Sequence, residues 1–416
     1  MFHFLNSFEI IERYRKSTKD FTRASPLSFP VVVSSILHLF KESVEFNLQK
    51  ILPDLACRPV TGSAFTQARY KIQPEVFEDL NKMVSETYRI SDKRLWKGHC
   101  LLAGDGSTLN LPSSRNIEDS FGIHAITDLG VKRYLARIFF IYDVLNDFVV
   151  EGRLSNMSIG EKPLLFESLE SINDPNSIII LDRLFGNFCT IKELINQHRK
   201  FCIRLSCINS NFAKNMLKQK GNDVITLWKP SPKEQENANK NNLDYTPIKI
   251  RVSKINLENG EIELLVTNLY DKEKYSIEDI GELYNLRWGV EEGFKNLKPK
   301  MKIEQFGCRK SEGILQEFYA HIFCINMVSL VGNIANEQIK GKTSHRKWEY
   351  KFNWKNAYRF VREKIIKLLF LKHIGKLLDK LIAEVSCSLV PIKPDRFFPR
   401  DLKHKNKKGR ITQIHK

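Results

Sequence analysis

Hydrophobic positions along this chain change their rhythm several times, and each change marks a different kind of element. In the first 95 residues apolar side chains recur at helical spacing, over residues 63–71 and again over 76–88, with Gln73-Pro74 between them. From His99 the rhythm shortens to that of strands. Cys100-Leu101-Leu102-Ala103-Gly104 is a short apolar run that delivers Asp105, and Gly106-Ser107-Thr108 is expected to turn the chain away, leaving Asp105 at a strand's exit. Residues 136–144 and 148–154 form a hairpin around Leu145-Asn146-Asp147. Residues 161–172 return to the helical period and stop at Asn173-Asp174-Pro175. Ile178-Ile179-Ile180-Leu181 shows no polar alternation, the mark of a strand buried on both faces, and it ends on Asp182-Arg183. A helix over 191–197 and a strand over 201–206 complete this section.

Two further strands are expected at 248–257 and 262–269, flanking Asn259-Gly260, a dipeptide suited to a tight hairpin turn. The polar segment 231–244, rich in Lys, Glu, Asn and Gln, reads as a loop. At Ser276 the pattern turns helical again. Residues 276–299 are expected to form one helix, because Ser276 and Asp279 make a capping-box start and Pro299, which lacks an N–H, should stop it. A buried helix over 314–334 should pack behind it, and helices around 354–371 and 374–385 follow. Residues 400–416, with seven Lys or Arg against one Asp, are expected to be a mobile basic arm.

At about 100° per residue, with Tyr284 as zero, Arg287 falls near −60°, Glu291 near −20° and Lys298 near −40°. Leu283, Leu286, Val290, Phe294 and Leu297 cluster between about 200° and 280°, while Asn285, Glu292 and Asn296 lie on a wet face. One helix thus carries a core face and, beside it, a line of one phenol, two cations and one carboxylate. The line is roughly 21 Å long, which suits a phosphate backbone better than a small substrate. Taken alone, the same residues also describe a surface helix with a Glu291–Lys295 pair. An aspartate at the end of a buried strand is, by itself, often just a turn or a cap.

Charge narrows the choice of partner. The 416 residues contain 66 Lys or Arg against 48 Asp or Glu, a net charge of +18, which favours a polyanion. A membrane surface is the weaker candidate, because the most apolar stretches, 29–40 and 314–331, are short of the roughly 20 residues needed to span and contain polar side chains. No leader pattern opens the chain, so a cytoplasmic location is expected. The eight cysteines are scattered without a C-x2-C pair and are expected to be reduced, with neither a disulfide frame nor a zinc ribbon. No Gly-rich phosphate loop or G-x-S-x-G elbow is present, which argues against a nucleotide-driven motor or a serine hydrolase.

The gaps in Tyr284-x2-Arg287-x3-Glu291-x6-Lys298 match the signature of one branch of the DDE transposases of bacterial insertion sequences, and the chain from about Ser63 to Ala335 resembles that family. The resemblance implies an α/β, ribonuclease-H-like mixed sheet with a β-rich insertion before the catalytic helix and helical N- and C-terminal regions. It divides the chain into a helical DNA-binding region (1–95), a first part of the catalytic core (96–207), the insertion (208–274), a second part of the core with the catalytic helix (275–340), and a helical C-terminal region with a basic tail (341–416). The N-terminal helices could equally be a bundle packed on the core, with Arg69 a solvated cation.

The same resemblance makes Asp105, Asp182 and Glu291 catalytic and metal-binding, with Asp105 bridging two Mg²⁺ (or Mn²⁺) ions and the other two each holding one. It assigns DNA contacts to Tyr284, Arg287, Lys298 and Arg183. Its implied partner is double-stranded DNA, both element ends and target, bound by a homodimer, with no membrane. A 3′-hydroxyl freed at the element's end would attack target DNA at the same ions, with neither ATP nor a covalent protein intermediate. Two departures stand out: Leu184 and Phe185 precede Gly186 where many members place glycine sooner after the aspartate, and Trp228 is the only tryptophan in the insertion. A two-metal nuclease on the same fold, or a non-catalytic DNA-binding descendant, are the alternatives.

Overall fold

The computed structural model describes residues 2–38, 43–55, 57–208, 210–258, 260–371 and 373–392; the basic segment 400–416 and Asn259 lie outside them. Near the start, α1 (Gly62–Arg69) and α2 (Glu75–Ile90) form the expected pair of helices. The main sheet has eight strands, β1 (Leu101–Asn110), β2 (Leu135–Asp143), β3 (Phe148–Asn156), β4 (Ile178–Leu181), β5 (Lys200–Arg204), β6 (Asp223–Trp228), β7 (Ile248–Asn256) and β8 (Ile262–Thr267), in the order β3-β2-β1-β4-β5-β8-β7-β6. Among the first five, β2 alone runs against its neighbours, while β1, β4 and β5 pair in parallel. That is the ribonuclease-H-like arrangement, an α/β sheet with helices on both faces.

On one face pack α3 (Glu161–Glu170) and α4 (Phe188–Asn196) through Leu164, Leu165, Leu169, Phe188, Ile191 and Leu194. On the other lie α5 (Ile277–Asn285), α6 (Gly289–Lys295) and the 33-residue α7 (Ser311–Thr343), with α8 (Trp354–Phe370) beyond. The strands of the β-rich insertion extend the main sheet, because β8 pairs antiparallel with β5. None of the eight cysteines forms a disulfide.

Three local expectations are corrected. Asp105 is not at a strand's exit: β1 continues to Asn110 because its ladder with β2 runs on from Asp105↔Phe140 to Asn110↔Leu135, and those bonds outweigh the turn preference of Gly106-Ser107. Asp105 lies instead where β1 loses its other neighbour, since β4 ends at Leu181 opposite Gly104. The polar segment 231–244 contains a helix, Pro232–Lys240, started by a Ser231/Glu234 capping box and Pro at its first turn. Finally, α7 is long and apolar enough to cross a membrane by length and composition, yet most of it is buried within the protein. Its Asn326 side chain bonds both backbone groups of Val149, 2.9 Å to the N–H and 2.8 Å to the carbonyl, covering the outer edge of β3 as another strand would.

Arg69, for which a solvated position was one alternative, is 1% exposed. Its guanidinium donates to Gln316 Oε1 at 3.1 Å, Glu317 Oε1 at 3.2 Å and the Gly313 carbonyl at 3.4 Å, tying α1 to α7. Glu317 also accepts the Gly307 N–H at 3.2 Å, so this hub anchors the segment that follows α6. Removing one partner strands a buried charge. Arg69→Ala should therefore cost about 3–5 kcal/mol of stability in urea titrations, whereas the double change Arg69→Met with Glu317→Leu should cost far less; equal losses would show that packing, not charge, is what Arg69 supplies.

Candidate active site

Parallel pairing of β1 and β4 sets the first two acidic residues side by side. Gly104 pairs with Leu181, so Asp105 and Asp182, one residue on in each strand, fall at the same level and on the same face. That face is the one on which α5 and α6 lie. The Gly106 N–H donates to Asp105 Oδ1 at 2.8 Å, and the Leu184 N–H to Asp182 Oδ1 at 2.9 Å, so each carboxylate is oriented by local backbone.

Glu291 arrives from above the sheet. The Ser276/Asp279 capping box starts α5 as expected, but residues 276–299 do not form one regular helix. A 3-10 turn at Leu286–Trp288 separates α5 from α6, and a π turn at Asn296–Lys300 follows, with Pro299 inside it. The Met301 N–H reaches the Asn296 carbonyl, so the wider turn absorbs the N–H that Pro299 lacks. It also rotates Asn296 inward, to 4% exposure, off the wet face expected for it. Gly289 and Gly293, one turn apart, seat α6 on the sheet: a Cβ on either would come within 2.8 Å of Val144 or Tyr142. Two helix-weakening glycines so close together were a signal of close approach.

The line Tyr284, Arg287, Glu291, Lys298 is not a solvent-facing rod. Tyr284 is buried, and burial pushes its phenol up. Arg287, 8% exposed, sits between two carboxylates, Nη1 3.7 Å from Asp105 Oδ2 and Nη2 3.5 Å from Glu291 Oε1. Burial alone would lower it, but Tyr284, Asp105, Asp182 and Glu291 together hold its proton more tightly. Lys298, half-buried and pushed down by that burial, donates to Ser107 Oγ at 2.7 Å, two residues from Asp105. Arg183 is exposed beside Asp182. Glu292, the neighbour of Glu291, is exposed and paired with Lys295. Two residues escaped the sequence reading. Trp288 is half exposed, its ring 5.7 Å from the Arg287 guanidinium. Glu161 at the start of α3 comes up on the other side of β1, and a Cβ on Gly106 would lie 2.4 Å from its carboxyl carbon.

Asp105, Asp182 and Glu291 offer only oxygen, the donor that hard divalent cations take. Positive charge is favoured where they meet, and one cation, Arg287, is already there. Among the described residues no three acidic, His or Cys side chains stand close enough to form a ready-made cage, the guanidinium lying between Asp105 and Glu291. The donor set fits the ions; loading them requires Arg287 to yield.

Burial, with Asp182 and Glu161 nearby, pushes the Asp105 carboxyl up from 3.8 to about 6 against the opposing pull of Arg287 and the Gly106 N–H. An acid raised on folding binds its proton more tightly folded than unfolded. Its contribution to stability is therefore complete below pH 3.8 and lost as pH rises through about 6. In chelator, Asp105→Asn should remove a stability loss of roughly 2 kcal/mol between those limits, read from denaturant midpoints at several pH values; an unchanged pH slope would mean that Asp105 is not desolvated.

The chain is 21% identical over 355 residues to the transposase InsG for insertion sequence element IS4 of Escherichia coli (strain K12), covering 83% of this chain and 77% of that one. Among solved structures, a piggyBac transposase synaptic complex with hairpin DNA aligns over 97% of this chain and 88% of its own, at 12% identity and a TM-score of 0.47. The family model described as "Transposase DDE domain" matches residues 96–327, more than half of the chain and the whole stretch from β1 into α7 that holds the three carboxylates, so the chain belongs to the transposase DDE domain family.

Proposed function

We propose that this DNA transposase cleaves the ends of an insertion sequence and joins the freed 3′-hydroxyls to target DNA, with Asp105, Asp182 and Glu291 as its catalytic acids. The observation that supports the reading is that the buried Arg287 guanidinium lies 3.7 Å from Asp105 and 3.5 Å from Glu291, with Asp182 near enough to act on its charge. Two Mg²⁺ or Mn²⁺ ions held there would supply an activated water or 3′-hydroxyl and cancel charge on the reacting phosphorus. The chain's own groups do the positioning. Backbone N–H groups of Gly106 and Leu184 aim the two aspartates. Arg287 neutralises the acidic set before DNA arrives and, once displaced, is the cation nearest a phosphate bound there. Its guanidinium is framed by the Tyr284 and Trp288 rings, at 5.8 and 5.7 Å, which limits where it can go. Lys298 and the exposed Arg183 offer charge to the backbone on either side. Double-stranded DNA is the partner, handled by a homodimer in the cytoplasm.

Each of Asp105→Ala, Asp182→Ala and Glu291→Ala should reduce cleavage of an element-end duplex by more than about a thousandfold, several kcal/mol of lost charge stabilisation. Glu292→Ala should stay active, because that side chain points to solvent and Lys295. A dead Glu292→Ala beside an active Glu291→Ala would reassign the third acid. Cutting without joining, in an assay that supplies target DNA, would favour the nuclease.

Metal dependence has its own readout. Chelator should abolish cleavage while leaving the circular dichroism spectrum and unfolding midpoint nearly unchanged, since the sheet is held by strand ladders and apolar packing. Unfolding in chelator, or rescue by zinc alone, would rule out an all-carboxylate site.

A further inference from the structure

The end of the catalytic helix points cations in two directions. Lys298 reaches Ser107 beside Asp105, whereas Lys300, on the same π turn, lines a groove. That groove consists of two cavities of about 740 and 1620 Å³, which share Lys300 and Lys355. The larger passes Glu292 and Asn296, so it borders the helix that carries Glu291. The smaller is lined by six Lys or Arg side chains, from Lys50 to Arg362, against one carboxylate, Glu363.

So many like charges facing one hollow repel one another unless an anion joins them. Lys300 has Glu292 and Asp147 near it. Arg359 pairs with Glu363 at 2.9 Å, but among the described residues neither Lys302 nor Lys355 pairs with a carboxylate. Lys302 also has φ +53°, a left-handed backbone that a lysine adopts only at a cost. Lys355 and Arg359, one turn apart on α8, are about 6 Å apart along the axis, a row of charges rather than a single pocket.

We propose that this groove binds the phosphodiester backbone of duplex DNA where it continues past the carboxylates, a site separate from the Arg287 and Lys298 contacts. The proposal rests on the transposase reading only for the direction from which the duplex enters. A duplex held by Lys298 beside Asp105 would reach the groove through Lys300, two residues on, and then Lys302 and Lys355, which line the same cavity. Since the contacts are to phosphate, binding here is independent of sequence and falls with salt as counterions are released.

The probe is a labelled 30-base-pair duplex of arbitrary sequence, titrated in chelator at several salt concentrations. The double variant Lys302→Ala with Lys355→Ala should flatten the plot of log K against log salt by about 1.8, two phosphate contacts at roughly 0.9 each. The pair Lys302→Arg with Lys355→Arg should keep the parental slope, and all variants should share the parental unfolding midpoint. Lys298→Ala is the comparator. If it flattens the slope while the groove variant does not, the groove is wrong and the reading of the carboxylates stands; if only the groove variant does so, the groove stands and the phosphate role of Lys298 falls. A groove variant that loses affinity for a single-stranded 30-mer but not for duplex would also overturn the proposal.

Discussion

Holding Asp105 and Glu291 on either side of the buried Arg287, with Asp182 nearby, is the constraint to which the rest of this structure responds. Two like charges about 4 Å apart repel by roughly 4 kcal/mol at the effective dielectric of a protein surface. The protein meets that repulsion in two ways. Asp105 holds its proton to about pH 6, and Arg287 inserts a cation between Asp105 and Glu291. Both responses require α6 to lie close against the sheet. Gly289 and Gly293 allow this, since any side chain there would meet Val144 or Tyr142.

The irregular path of that helix follows from the same demand. A regular helix would have kept Tyr284, Arg287 and Lys298 along one stripe at the surface. The 3-10 turn at Leu286–Trp288 and the π turn at Asn296–Lys300 break the stripe into an inner part, where Arg287 meets the carboxylates, and an outer part, where Lys298 and Lys300 diverge. Behind it α7 and the buried Arg69–Glu317 hub brace the segment that leads away, with Glu317 holding the Gly307 N–H. The N-terminal helix α1 is thereby coupled to the main sheet through α7.

Much of the fold was legible in the sequence because burial pattern is local. Continuous apolar runs at 178–181 and 201–203 could only be buried strands, the capping box at Ser276 could only start a helix, and fixed gaps between Tyr284, Arg287, Glu291 and Lys298 identified the family that the match over 96–327 bears out. The pairing of Asp105 with Asp182 also followed, once strand order was known.

What the sequence left open depended on partners distant in the chain. Whether Gly106-Ser107 turns or extends was decided by the β2 ladder, and whether Arg69 is wet or buried was decided by Gln316 and Glu317, some 250 residues away. Whether Arg287 faces solvent or the carboxylates was decided by a single 3-10 turn and the seat of α6 on β2. A side chain's periodicity tells whether it meets the core, but a charge takes its role from the opposite charge it meets there, and only the tertiary structure brings that charge to it.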